Sequence, residues 1–134
     1  MSNGIIKGCR VHHIAISATD FQKSVDFYMN GLGFKPTINW GKNGDLAQML
    51  DIGSGSCLEI FSDGKKADHV EGSWRHLALG VDDCDAAFAA AVAAGAAVRS
   101  EPTDVDIQSN PVAKVRIAFV YGPDGEVIEF FQNR

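Results

Sequence analysis

The chain has 134 residues, 46% hydrophobic and 22% charged, the balance of one globular domain that buries a core without disulfide staples. Twelve Lys and Arg against 17 Asp and Glu leave a net charge of −5, and the densest basic cluster is Lys65-Lys66, so no basic face for nucleic acid is expected. No apolar run approaches the roughly 20 residues of a membrane span, residues 1–10 lack the apolar core of a signal peptide, and Cys9, Cys57 and Cys84 show no CxxC spacing; a reduced cytoplasmic protein without membrane contact is expected.

In chain order, residues 11–17 form a short β-rich run. Asp20 follows as a helix N-cap, with Phe21, Val25, Tyr28, Met29 and Leu32 at helical spacing and Gly31 or Gly33 as the stop. Strands are expected at 36–41, 46–52 and 57–62, the last two joined by the turn Gly53-Ser54-Gly55-Ser56. A polar connector with Gly64 and Gly72 covers residues 63–72. Then come a strand at 77–81, an Ala-rich helix that starts at Asp83 or Asp85, carries Phe88 and Val92 four apart and stops at Gly95, and strands at 97–101, 114–121 and 126–132. Gly122-Pro123-Asp124-Gly125 is the last hairpin turn.

This order is a repeat. Residues 12–20 resemble residues 75–83, laying His13 on His76, Ala15 on Ala78 and Asp20 on Asp83. Leu58-Glu59-Ile60-Phe61 matches Ile128-Glu129-Phe130-Phe131 in the same way. The chain is one domain of two half-modules, about 9–62 and 73–134, each βαβββ, opening on a histidine strand and closing on a glutamate strand.

Strand alternation decides which side chains share a face. His13 lies with Ala15 and Ser17, and His76 with Ala78 and Gly80; Glu59 lies with Cys57 and Phe61, and Glu129 with Val127 and Phe131. The branched apolar residues point the other way, toward the helices. A carboxylate between large apolar neighbours is costly to bury without a compensating charge. Two imidazoles and two carboxylates suit one divalent cation, Zn, Ni, Co, Mn or Fe(II), with positions left open for substrate. His12 points away from that face, His69 belongs to the connector, and Cys57 is expected as a small buried thiol. Trp40, Trp74, Phe61, Phe119 and Phe131 are expected mainly in the core, and Arg10, Arg75, Lys114 and Arg116 as solvated charges at the rim. Unpaired outer strands favour a homodimer.

The motifs resemble the vicinal oxygen chelate superfamily, the glyoxalase/bleomycin resistance protein/dioxygenase fold. They are the His13-Ile14-Ala15-Ile16 strand ending at Asp20, Lys23-Ser24-Val25-Asp26-Phe27-Tyr28 with Leu32-Gly33-Phe34, the Leu58-Glu59-Ile60 and His76-Leu77-Ala78-Leu79 strands, and the run from Gly122 to Phe130. The resemblance implies an α+β fold in which two tandem βαβββ modules form an eight-stranded curved sheet, a cup around a metal site with the helices outside. It implies the metal ligands His13, Glu59, His76 and Glu129. The His/Glu/His/Glu set is similar to that of glyoxalase I, which implies a lyase or isomerase that moves a proton between adjacent carbons of a small vicinal-oxygen substrate through a metal-held enediolate. Glu129 would be the catalytic base and Glu59 would serve the opposite face. Epimerases and dioxygenases on the same fold, and non-catalytic binding proteins of the bleomycin resistance kind, are the alternatives. Ser17 stands where short bacterial glyoxalases I carry an arginine, and Ile60-Phe61-Ser62-Asp63 supplies no asparagine after Glu59. Both of those residues serve glutathione in that family, so weak use of glutathione is expected.

Overall fold

The computed structural model describes residues 11, 13–64, 76–109 and 111–134. Cys9, Arg10, His12, Lys65, Lys66, His69, Trp74 and Arg75, and most of the connector, lie outside them. The first module contains β1 (His13–Ser17), α1 (Phe21–Asp26), β2 (Lys35–Lys42), β3 (Asp45–Asp51) and β4 (Cys57–Phe61). The second contains β5 (Leu77–Gly80), α2 (Cys84–Ala93), β6 (Ala97–Ile107), β7 (Ala113–Tyr121) and β8 (Val127–Asn133). The strands form two four-stranded sheets of identical topology, β1-β4-β3-β2 and β5-β8-β7-β6. In each, the histidine strand runs parallel to the glutamate strand and the other pairings are antiparallel. No described helix is long and apolar enough to cross a membrane.

The repeated aspartates cap the repeated helices. Asp20 accepts from the Lys23 N–H at 3.1 Å and Asp83 from the Ala86 N–H at 2.9 Å, each satisfying one donor that the first turn leaves open. Asp83, not Asp85, is therefore the cap of α2. The first helix is not a plain α-helix over its expected length. After Asp26 it widens into a π-helical turn, Phe27–Gly31, closed by the Leu32 N–H on the Phe27 carbonyl at 3.1 Å. Consecutive residues Phe27 and Tyr28 are both buried there. In α2 the buried face is Cys84 and Ala91, with Ala87 and Phe88 packed partly against the core; Val92 is turned outward, 38% exposed.

The core lies between the sheets and the helices. Leu58 and Ile60 of β4, Ile128 and Phe130 of β8, and Ala118 and Val120 of β7 meet Val25, Tyr28, Cys84 and Ala91 in one cluster that runs through both modules. Burying aliphatic side chains of this size stabilises by roughly 1.5–3 kcal/mol each. Gly31 sits where a Cβ would come within 2.5 Å of the Ala94 Cβ, so glycine is what lets the two helical segments touch.

A polar latch joins the modules. The buried Tyr28 hydroxyl donates to Glu126 Oε1 at 2.5 Å, and Glu126 Oε2 accepts from the Asp124 N–H at 2.8 Å. Asp124 in turn accepts from Thr19 Oγ1 at 2.7 Å and Ser24 Oγ at 3.2 Å. The Gly122-Pro123-Asp124-Gly125 turn, with Gly125 at φ +79°, thus holds acceptors against the first helix.

Strand β6 runs to Ile107, beyond the expected 97–101. Pro102 and the acidic residues that follow resemble a loop, but β6 is an edge strand, where proline is tolerated. Arg116 binds Asp85 and Asp104, and Arg134 binds Asp104 and Asp106, at 2.5–3.0 Å.

Candidate metal centre

Each module builds one histidine–glutamate pair. His13 opens β1, and Glu59 lies on β4 in register with Ala15, whose small side chain leaves the carboxylate room. His13 Nε2 stands 3.4 Å from Glu59 Oε2. In the second module His76 directly precedes β5, Glu129 is in register with Ala78, and His76 Nε2 stands 2.9 Å from Glu129 Oε2. The glutamate side chains are 10% and 9% exposed, whereas the histidines are 40% and 37% exposed. Each pair therefore has a buried carboxylate and an imidazole open on one side.

The four expected ligands stand as two pairs. Among the described residues, no three His, Cys, Asp or Glu side chains converge to hold a cation. Each pair spans an edge strand, β1 or β5, and the strand beside it. The donor chemistry fits a divalent cation, with one imidazole nitrogen and one carboxylate oxygen side by side in each pair. One pair supplies half of the expected set, so two pairs must meet to make a four-ligand site.

The surrounding face is aromatic. Trp40, 42% exposed, meets Phe61 edge-on at 6.2 Å on the Glu59 side of its sheet. Phe119, in register with Glu129, meets His76 edge-on at 5.9 Å. Phe131, in register with Gly80, is half-buried on the same sheet. These rings line the candidate site rather than the core between sheet and helix. A cavity of about 390 Å³ lies between β1 and the β7–β8 turn, with Ser17, Tyr28, His76 and Glu126 in its wall.

Cys57 and Cys84 are free and buried, and burial pushes both thiols up, with Asp51 and Asp85 adding to the effect. A thiol held protonated is a poor nucleophile. Arg116 holds the Asp85 carboxyl below the usual range by hydrogen bonding and is engaged in a structural ion pair. Lys114 lies in register with Asp106. Arg99, which no sequence motif singles out, lies over Phe119 and Tyr121 with its Cζ 5.7 and 5.9 Å from the ring centres.

Comparison with known proteins agrees with this arrangement of modules. The chain is 31% identical over 132 residues to a probable lactoylglutathione lyase of Vibrio cholerae, covering 93% of this chain and 91% of that protein. Its fold matches the glyoxalase family protein of Enterococcus faecalis with a TM-score of 0.71 at 25% identity, covering 91% of this chain and 96% of that one. It also matches TnmS3, an antibiotic binding protein of Streptomyces sp. CB03234, with a TM-score of 0.69 at 26% identity, covering 94% and 97%. The family description that matches residues 10–130 spans both histidine strands and both glutamate strands. With its two βαβββ modules and nearly its whole length matched, the chain belongs to the glyoxalase/bleomycin resistance protein/dioxygenase superfamily.

Proposed function

We propose that this chain is a divalent-cation-dependent lyase or isomerase of glyoxalase I type, acting as a homodimer on a small vicinal-oxygen substrate. The observation that carries the reading is the duplicated His–Glu pair, placed on equivalent strands and, among the described residues, open beside an unpaired strand edge in both modules. In a two-fold dimer, His13 and Glu59 of one protomer face His76 and Glu129 of the other, and two such sites form by symmetry. Exposed Ile38, Trp40 and Tyr121 on the strands flanking these faces are the apolar area that a second copy would cover.

A bound cation would supply Lewis acidity to two adjacent substrate oxygens. Glu129 accepts the proton from one carbon and returns it to the next, the work of a positioned general base. His76 Nε2, 2.9 Å from that carboxylate, would be the neighbouring cation donor. Phe119 and Phe131 place apolar surface on that side. Glu59 serves the opposite face of the substrate. Ser17 and the Phe61-Ser62-Asp63 segment offer no cation or amide to glutathione, so the methylglyoxal–glutathione adduct is a poor substrate in this reading.

The similarity to TnmS3, an antibiotic binding protein, favours one second reading, a non-catalytic small-molecule binding protein that uses the same face. Cation analysis combined with light scattering separates the two. The enzyme reading expects one divalent cation per protomer and a dimer mass at micromolar concentration, with solvent deuterium entering a vicinal-oxygen substrate only when the cation is present. A protein that takes up no cation, or stays a monomer, contradicts it.

A further inference from the structure

Strand β6 carries a bulge at its start. Val98 is in register with Val120 and Ser100 with Phe119, so two residues of β6, Arg99 and Ser100, advance against one step of β7. Bulges of this kind re-aim side chains at the rims of sheets. Here the result is a guanidinium laid over Phe119 and Tyr121, at 5.7 and 5.9 Å. Phe119 is the ring that packs on His76 and stands in register with Glu129. One aromatic ring thus separates Arg99 from the His76–Glu129 pair.

The other described arginines are committed elsewhere, Arg116 to Asp85 and Asp104 and Arg134 to Asp104 and Asp106. Arg99 is exposed and forms no ion pair with any described residue. Lying over two rings holds the guanidinium at this face while its N–H groups stay available to grip a carboxylate with two hydrogen bonds.

We infer that Arg99 binds a carboxylate on the substrate, one ring's breadth from the reacting carbons, so that the substrate class is a vicinal-oxygen compound with an anionic arm. This rests on the proposed cation site, which anchors the other end. Lysine at this position would keep the charge and lose the planar fork.

Two hydroxamates test it on the cation-loaded protein by calorimetry. Both present vicinal oxygens; glutarate monohydroxamate also carries a carboxylate arm, and acetohydroxamate, which has none, is the internal reference. The expected result is an affinity ratio of roughly 10- to 100-fold in favour of the carboxylate-bearing probe, the range of a charge-assisted contact. The ratio falls to near one in Arg99→Gln and is partly kept in Arg99→Lys. A ratio near one in the unaltered protein, or one that survives Arg99→Gln, overturns the role of Arg99 and leaves the cation site standing. Failure of both hydroxamates to bind the cation-loaded protein overturns the open substrate positions of the proposed site, and this inference with it.

Discussion

Glu129→Gln is expected to lower kcat/KM on the true substrate by about 10²- to 10⁴-fold, the usual contribution of a positioned general base. The substitution keeps the side-chain volume and one oxygen, so the packing around it, Phe119 on one side and Ala78 on the other, is retained. His76 Nε2, 2.9 Å away, keeps an acceptor. Cation content measured alongside turnover shows whether the loss lies in proton transfer or in cation binding. An amide in place of the Glu129 carboxylate cannot take a proton from carbon, so turnover falls further than cation content does. A variant that retains both the cation and near-normal turnover would assign the base to another residue, with Glu59 the first to examine.

Tyr28→Phe is expected to cost about 1–2 kcal/mol of stability and about 3–8 °C in Tm. The hydroxyl is fully buried and donates at 2.5 Å to the half-buried Glu126 carboxylate, so its removal strips a hydrogen bond from a charged acceptor. The same contact sets an alkaline dependence. Burial first, and then the Glu126 charge, push the Tyr28 phenol far above its ordinary value near 10. A group whose folded pKa is raised contributes stability that is complete below its unfolded pKa and is lost as the pH rises above it. Stability should therefore fall by about 1.4 kcal/mol per pH unit above roughly pH 10 from this residue alone. Tyr28→Phe removes that part of the slope. Urea unfolding of both proteins between pH 8 and 11 measures it, and parallel curves with equal midpoints would show that the latch carries no weight.

The modules, their caps and their histidine and glutamate strands were legible because the repeat states each of them twice. Asp20 and Asp83 cap equivalent helices, and Glu59 and Glu129 lie in register with equivalent alanines. Features set by register and tertiary contact were not legible. The β6 bulge that aims Arg99 is visible only once Val98 and Ser100 are paired with β7. The π-helical turn at Phe27–Gly31 keeps the spacing of an ordinary amphipathic helix in the sequence. The Asn43-Gly44 turn, with φ of 56° and 87°, was a local hairpin signal that could have carried the second and third strands closer together. Whether four ligands meet within one chain depends on how two modules pack, which no local pattern encodes. The structure sets them as two pairs.

The sharing of each site between two chains is tested most directly by complementation. One variant carries His13→Ala and Glu59→Ala, the other His76→Ala and Glu129→Ala. Each alone should bind no cation in a four-ligand site and show no turnover. In a dimer of one with the other, one site has lost all four ligands and the second is intact. Random pairing makes about half of the dimers mixed, so the co-expressed proteins should recover about one quarter of the unaltered cation content and activity. Recovery near that value is the predicted result; co-expressed variants no better than either alone would contradict a site built between two copies of this chain.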